Sequence, residues 1–147
     1  GIETNGTCPM DNGNLAVCDM YGHRVLEMTT KGRIVRVLAS EYEGRRLDGP
    51  NDIAVDDKGG IYFTDPQIIP RPFFQPGRSV FYRKPDGELI RVFDPGVLEK
   101  PNGLILSPDC KILYVNSTPE NFMMAFDINE DGTLSSTRNR SIRRWTV

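Results

Sequence analysis

Short apolar runs punctuated by Gly, Asp and Asn occupy this chain almost from end to end. The stretch "GPNDIAVDDKGGIYFTDP", Gly49 to Pro66, reads as two strands joined by an Asp-Lys-Gly turn. Its open ends carry an asparagine and an aspartate. "TNGTCPMDNGNLAVCD", Thr4 to Asp19, and "PNGLILSPDCKILYVN", Pro101 to Asn116, align with it without a gap. The anchoring residues are Asn5, Asn51 and Asn102, spaced by 46 and then 51 residues. A third apolar run follows each hairpin, in "HRVLEMT", "SVFYRK" and "FMMAFDI". A glycine turn comes next (Gly32, Gly87, Gly132), then a fourth run in "RIVRVLAS", "ELIRVFD" and, more weakly, "TLSSTRNRSI". Runs of this length, rich in Val, Ile, Phe and Tyr and bounded by turn residues, are strand signals. No window has helical periodicity.

Four strands per unit at this period is the pattern of β-propeller blades. The second strands, as in Ile61–Tyr62–Phe63 and Leu113–Tyr114–Val115, are apolar at nearly every position. That composition suits a strand covered on both faces, as neighbouring blades do, whereas a sandwich strand alternates. The expected fold is therefore all-β, with three four-stranded antiparallel blades at about 1–46, 47–97 and 98–147. Propellers close with about 4–8 blades, so three leave a ring open. The favoured expectation is a piece of a larger protein. The other is a homodimer in which two such halves complete a six-bladed ring.

A turn centred on Lys58 sets Asn51 near Asp65, and the same rule sets Asn5 near Asp19 and Asn102 near Asn116. First strands line a propeller's channel, so these residues are expected to converge at one mouth. Clustered amide and carboxylate oxygens suit a hard cation such as Ca²⁺. The competing reading is that asparagine after proline is a turn residue capping its own backbone, repeated because the turn is repeated. The insert "PQIIPRPFFQPGRS", Pro66 to Ser79, enters at the same mouth with four prolines and two phenylalanines. It reads either as a wall or lid facing substrate, or as a loop packed flat on the rim.

Charge narrows the partners. A net charge of -2 gives no electrostatic case for nucleic acid or an anionic membrane surface. No segment approaches the roughly 20 apolar residues of a bilayer span, and "GIETNGTC" shows no signal-peptide pattern. The compartment stays open. Cys8, Cys18 and Cys110 are too few and irregular for a disulfide framework or zinc knuckle, and are expected as free thiols. Asn5, Asn116 and Asn139 head glycosylation triplets that matter only in a secreted protein. His23, the single histidine, is expected at the surface or rim, and "GRR" at Gly44–Arg46 as a solvated turn. No nucleophile elbow, phosphate loop or paired-cysteine site is present. Any catalysis would rest on a metal or a carboxylate.

"GRRLDGPNDIAVDDKGGIYFTDP", "VLEKPNGLILSPDCKILYVNST" and "AFDINEDGTLS" resemble the gluconolactonase/senescence-marker-protein (regucalcin-like) family. The resemblance covers essentially the whole chain, as that family's second to fourth blades. It implies a six-bladed propeller that hydrolyses lactones and related esters with a divalent cation: Ca²⁺, Zn²⁺ or Mg²⁺. It implies Asn102 as a metal ligand and Asn51 as a metal-proximal residue touching substrate, and Asp65 is a further candidate for substrate binding. The family's first-blade glutamate and later "DG" aspartate have no counterpart here. Gly49 stands where some members carry arginine, and "DPQIIPRP" replaces the usual "DPPYG". The isolated chain is therefore expected to be weakly active or inactive. A non-catalytic binding segment is the alternative.

Overall fold

The computed structural model describes residues 2–68, 72–118, 122–135 and 140–142. The insert's residues 69–71, Asn139 and part of "TLSSTRNRSI" lie outside them. Three four-stranded antiparallel sheets are present. The first holds β1 (Thr4–Pro9), β2 (Leu15–Asp19), β3 (Arg24–Met28) and β4 (Ile34–Ala39). A two-stranded ribbon, β5 (Glu41–Tyr42) and β6 (Arg45–Arg46), leads to the second sheet. That sheet is β7 (Ile53–Val55), β8 (Ile61–Asp65), β9 (Ser79–Arg83) and β10 (Leu89–Arg91). The third is β11 (Pro101–Leu106), β12 (Ile112–Ser117), β13 (Phe122–Asp127) and β14 (Arg140–Ile142). The three sheets are propeller blades, each built from strands consecutive in the chain. Glu43 (φ 50°) and Gly44 (φ 73°) both adopt the left-handed conformation that a tight hairpin turn requires. The "GRR" segment thus supplies the turn and outer strand of an exposed ribbon, in keeping with a solvated turn.

Burial explains the pattern of β8. Ile61 and Phe63 pack with Ala16, Cys18, Val25 and Leu38 of the first blade. Tyr62 points the other way, into a cluster with Leu104, Leu113, Val115 and Phe126 of the third. A strand between two blades is apolar on both faces for this reason. β12 alternates instead: Leu113 and Val115 are buried, while Ile112 and Tyr114 are partly exposed. Its neighbour Ile105, on the same outward side, is 61% exposed.

Polar staples reinforce each blade junction. Arg83 Nε donates to the Leu38 carbonyl at 2.9 Å, joining the second blade to the first. Tyr62 Oη donates to the Gly132 carbonyl at 2.8 Å, joining it to the third. Tyr82 stacks on Tyr62 with ring centroids 4.2 Å apart and donates to Asp56 Oδ2 at 2.6 Å. Burial, with the Asp56 charge beside them, raises the pKa of both phenols, so they remain protonated donors. His23, expected at the surface or rim, is buried beneath the insert. Its Nδ1 lies 3.0 Å from the Leu47 carbonyl, and its ring meets the edge of Phe74. His23 closes a turn with its amide on the Met20 carbonyl, in the left-handed region at φ 57°.

Candidate functional site

All three inner strands carry the same irregularity at their asparagine. In β1, Thr4 faces Asp19 but Thr7 faces Val17, so one residue is extra. In β11, Pro101 faces Ser117 and Leu104 faces Val115, again with one residue extra. In the middle blade the Asn51 amide donates to the Thr64 carbonyl at 2.9 Å, and the Thr64 amide to the Asp52 carbonyl at 3.0 Å. Two residues thus oppose one, which is a β-bulge; bulges re-aim side chains. A straight register sets Asn51 opposite Asp65. The bulge moves its partner to Thr64.

These bulges touch across the blades. The Gly6 amide donates to the Asn51 carbonyl at 2.6 Å. Asp52 Oδ2 accepts the Leu104 amide at 2.9 Å, and Thr64 Oγ1 donates to the Asn102 carbonyl at 2.7 Å. A Cβ on Gly6 would sit 2.6 Å from Asp52 Cα, so only glycine permits this approach. The open ends of the three hairpins therefore meet at one mouth, as the repeat suggested.

The candidate side chains differ in their surroundings. Asn51 is only 6% exposed. Among the described residues its carboxamide makes no hydrogen bond, and its polar atoms are not sealed from solvent. Asn102 is half-buried, its Nδ2 a long 3.4 Å from Thr118 Oγ1. Asp65 is buried, and its two oxygens accept the Asp48 and Gly49 amides at 2.8 and 2.6 Å. On these contacts it clamps the loop ahead of Asn51. Asp19 is engaged in the same way by the Gly22 amide and Arg24 Nε. Asn5 and Asn116 are exposed, the latter accepting the Gly103 amide at 2.7 Å. No group of three His, Cys, Asp or Glu residues among those described could hold a metal ion.

Thr64 and Asp52 were not singled out from sequence. The signal for Asp52 lay in the repeat, where its equivalents are Gly6 and Gly103. An aspartate between two glycines at one phase marks a residue that reaches its neighbour. Cys8, Cys18 and Cys110 are free. Burial, then the Asp52 and Asp65 charges, push the Cys18 thiol well up, leaving it unreactive.

The insert is pinned. Asp48 accepts the amides of Phe74 and Gln75 at 2.6 and 3.2 Å. Gln75 is buried, and its Nε2 reaches the carbonyls of Arg45 at 2.8 Å and Arg46 at 3.0 Å. Arg91 Nη2 closes the set on Gln75 Oε1 at 2.9 Å. Phe73 and Phe74 stay partly exposed, each beneath a guanidinium 5.5 Å from its ring centroid.

Residues 3–143 match the family described as SMP-30/Gluconolactonase/LRE-like region. A gluconolactonase of Zymomonas mobilis is 30% identical over 96% of this chain and 42% of that enzyme. Diisopropyl-fluorophosphatase of Loligo vulgaris is 28% identical over 87% of this chain and 43% of its own length. The solved gluconolactonase of Xanthomonas campestris superposes with a TM-score of 0.80 at 35% identity, covering 92% of this chain and 48% of that one. The chain thus spans less than half the length of these relatives. With three blades in the order and geometry of that fold, it belongs to the SMP-30/gluconolactonase/LRE-like family.

Proposed function

We propose that this chain supplies part of the substrate mouth of a cation-dependent hydrolase of small lactones and related esters. The observation that carries the reading is that the Asn51 carboxamide makes no hydrogen bond among the described residues where three inner strands meet, while its polar atoms are not sealed from solvent. An amide held in that state by a bulge is poised for a group supplied from outside. Membership of a family that includes gluconolactonases and lactonases supports the reaction class.

The donors on hand do not by themselves fit a divalent cation. Asn51 and Asn102 offer neutral carbonyl oxygens, while the carboxylates of Asp19, Asp52 and Asp65 hold backbone amides. A hard cation takes about 6–8 oxygens, several of them charged. In this proposal Asn102 is a ligand and Asn51 a second, substrate-facing one, with the charged ligands coming from outside the described residues. The cation is Ca²⁺, with Zn²⁺ and Mg²⁺ as alternatives. Bound there, a cation would polarise a lactone carbonyl and acidify water. This chain's own part is to hold the two carboxamides in place through Thr64, Asp52 and Asp65.

Side-chain amide NMR of the chain under Ca²⁺ titration tests this. The Asn51 and Asn102 resonances are expected to move together at millimolar Ca²⁺, and unmoved resonances would end the proposal. Calorimetry should show affinity weaker than micromolar and lactone turnover close to the uncatalysed rate. A micromolar-or-tighter site in a monomer would refute the incomplete-site reading. A homodimer completing the ring would present both asparagines twice around one channel, and a monomeric mass by light scattering counts against it. The non-catalytic binding reading draws on one observation, the exposed Phe73–Phe74 pair.

A further inference from the structure

The insert and the segment joining the second blade to the third form two walls of a cleft of about 410 Å³. Phe73, Gly77 and Arg78 line one wall, and Pro95, Leu98 and Glu99 line the other. Small-molecule sites start at roughly 300 Å³. Both walls lie on the mouth side, because the insert follows β8 and the linker precedes β11.

Three features make this cleft a built one. Arg78 bridges the walls: its Nε donates to the Pro66 carbonyl at 2.9 Å and its Nη1 to the Glu99 carbonyl at 3.1 Å. The walls also meet at Gly77, where an added Cβ would lie 2.8 Å from Pro95 Cβ. Gln75 and Asp48 fix the insert from behind, so Phe73 is presented on an anchored loop. Pre-formed walls spare a ligand the cost of ordering them.

Its chemistry selects the ligand. Phe73 and Pro95 offer hydrocarbon above the buried Leu98; the polar side chains are Glu99 and Arg78, whose guanidinium, over Phe73, is already tied to two backbone carbonyls. A polyhydroxylated sugar lactone would need a polar partner for each hydroxyl, and most of this lining has none to give. We infer that the cleft holds the alkyl or aryl substituent of the substrate, so that this mouth favours hydrophobic lactones or esters over sugar lactones. The inference rests on the lactone-hydrolase reading for the word substrate, but the binding event needs neither cation nor turnover.

Saturation-transfer NMR on the metal-free chain, with γ-butyrolactone, γ-octalactone, γ-decalactone and glucono-δ-lactone as probes, tests it. Affinity is expected to rise two- to fourfold per methylene, from about 0.8 kcal/mol for each one buried. Glucono-δ-lactone is expected not to compete. Phe73→Asp and, independently, Pro95→Glu should each weaken γ-decalactone at least tenfold while the chain keeps its fold, which the backbone amide spectrum checks. Asn102→Ala should leave that binding intact. Affinity independent of chain length, or indifferent to both cleft variants, would overturn the inference. Equal competition by glucono-δ-lactone would overturn it too. None of those results would touch the cation titration, which stands or falls on Asn51 and Asn102.

Discussion

Thr64 and Asn102 lie in different blades, yet the Thr64 hydroxyl donates to the Asn102 carbonyl at 2.7 Å. The same oxygen accepts the Asp52 amide at 3.0 Å. One fully buried hydroxyl therefore fixes both bulges that aim the candidate asparagines. Thr64→Val keeps the shape and removes both bonds, leaving a part-buried amide and a part-buried carbonyl without that partner. It is expected to cost about 1–3 kcal/mol in denaturant unfolding. Thr64→Ser should recover most of that. A valine variant as stable as the parent would show that packing and the other cross-blade bonds register the two blades without this hydroxyl.

Cys110 occupies the turn position that Gly13 and Gly59 hold in the other two blades. Its φ of 53° lies in the left-handed region, as do theirs at 81° and 82°. A side chain there carries a steric penalty of roughly 1–2 kcal/mol that glycine escapes. Part of the gain is offset by glycine's greater freedom in the unfolded chain. Cys110→Gly is thus expected to stabilise by about 0.5–1 kcal/mol. Thermal melting checks the sign: a lower melting temperature would mean that the thiol makes a compensating contact.

Glu27 is a buried carboxylate that accepts Asn14 Nδ2 at 2.6 Å, Asn12 Nδ2 at 2.9 Å and Arg36 Nε at 2.7 Å. The Asn14 bond, ahead of Arg36 and Asn12, holds its pKa below the ordinary value against the opposing effect of burial. A group whose folded pKa is depressed stabilises the fold above its unfolded pKa, near 4.3, and loses that contribution as pH falls through the folded value. Stability should therefore drop on acidification below about pH 4.3. Glu27→Gln should lose about 1–3 kcal/mol at neutral pH and flatten that acid limb. An unchanged limb in urea titrations from pH 3 to 7 would assign the acid sensitivity to other carboxylates.

Most of the architecture was legible because blade repetition writes the same strand and turn signals three times. β8 was readable as a doubly covered strand from Ile61, Tyr62 and Phe63 alone. The bulges were not. A bulge adds one residue without a distinctive composition, so a straight register carried Asn51 to Asp65 when its partner is Thr64. The capping role of Asp65 was hidden for a related reason: an aspartate that binds amides and one that binds a ligand read alike until the amides of Asp48 and Gly49 are placed. The burial of His23 was not legible because it depends on Phe74, far along the chain.

The clamp at Asp65 separates positioning from contact. Its carboxylate holds the Asp48 and Gly49 amides, and Asp48 in turn holds the insert through Phe74 and Gln75. Asp65→Asn keeps the size but puts an amide donor where one of two backbone amides points. Loss of about 1–3 kcal/mol is expected, with faster hydrogen exchange at Asp48, Gly49 and Phe74. If the variant instead kept its protection and lost only ligand binding, Asp65 would be a contact residue.

Asn51 offers the sharpest test of what the mouth is for. Asn51→Asp is close to isosteric and adds one negative charge to a largely buried residue whose side chain makes no hydrogen bond among the described residues. With nothing to bind, that charge costs desolvation, so the variant should be less stable in chelator and its carboxyl should resist ionisation. With a cation available, the same charge supplies what the neutral carboxamides lack. Ca²⁺ should then raise the melting temperature of Asn51→Asp more than that of the parent, as binding to the folded state alone requires. Asn51→Ala should show no such response. Equal shifts in all three proteins would place any cation elsewhere, and Asn51 would then be a turn residue that its blade repeats.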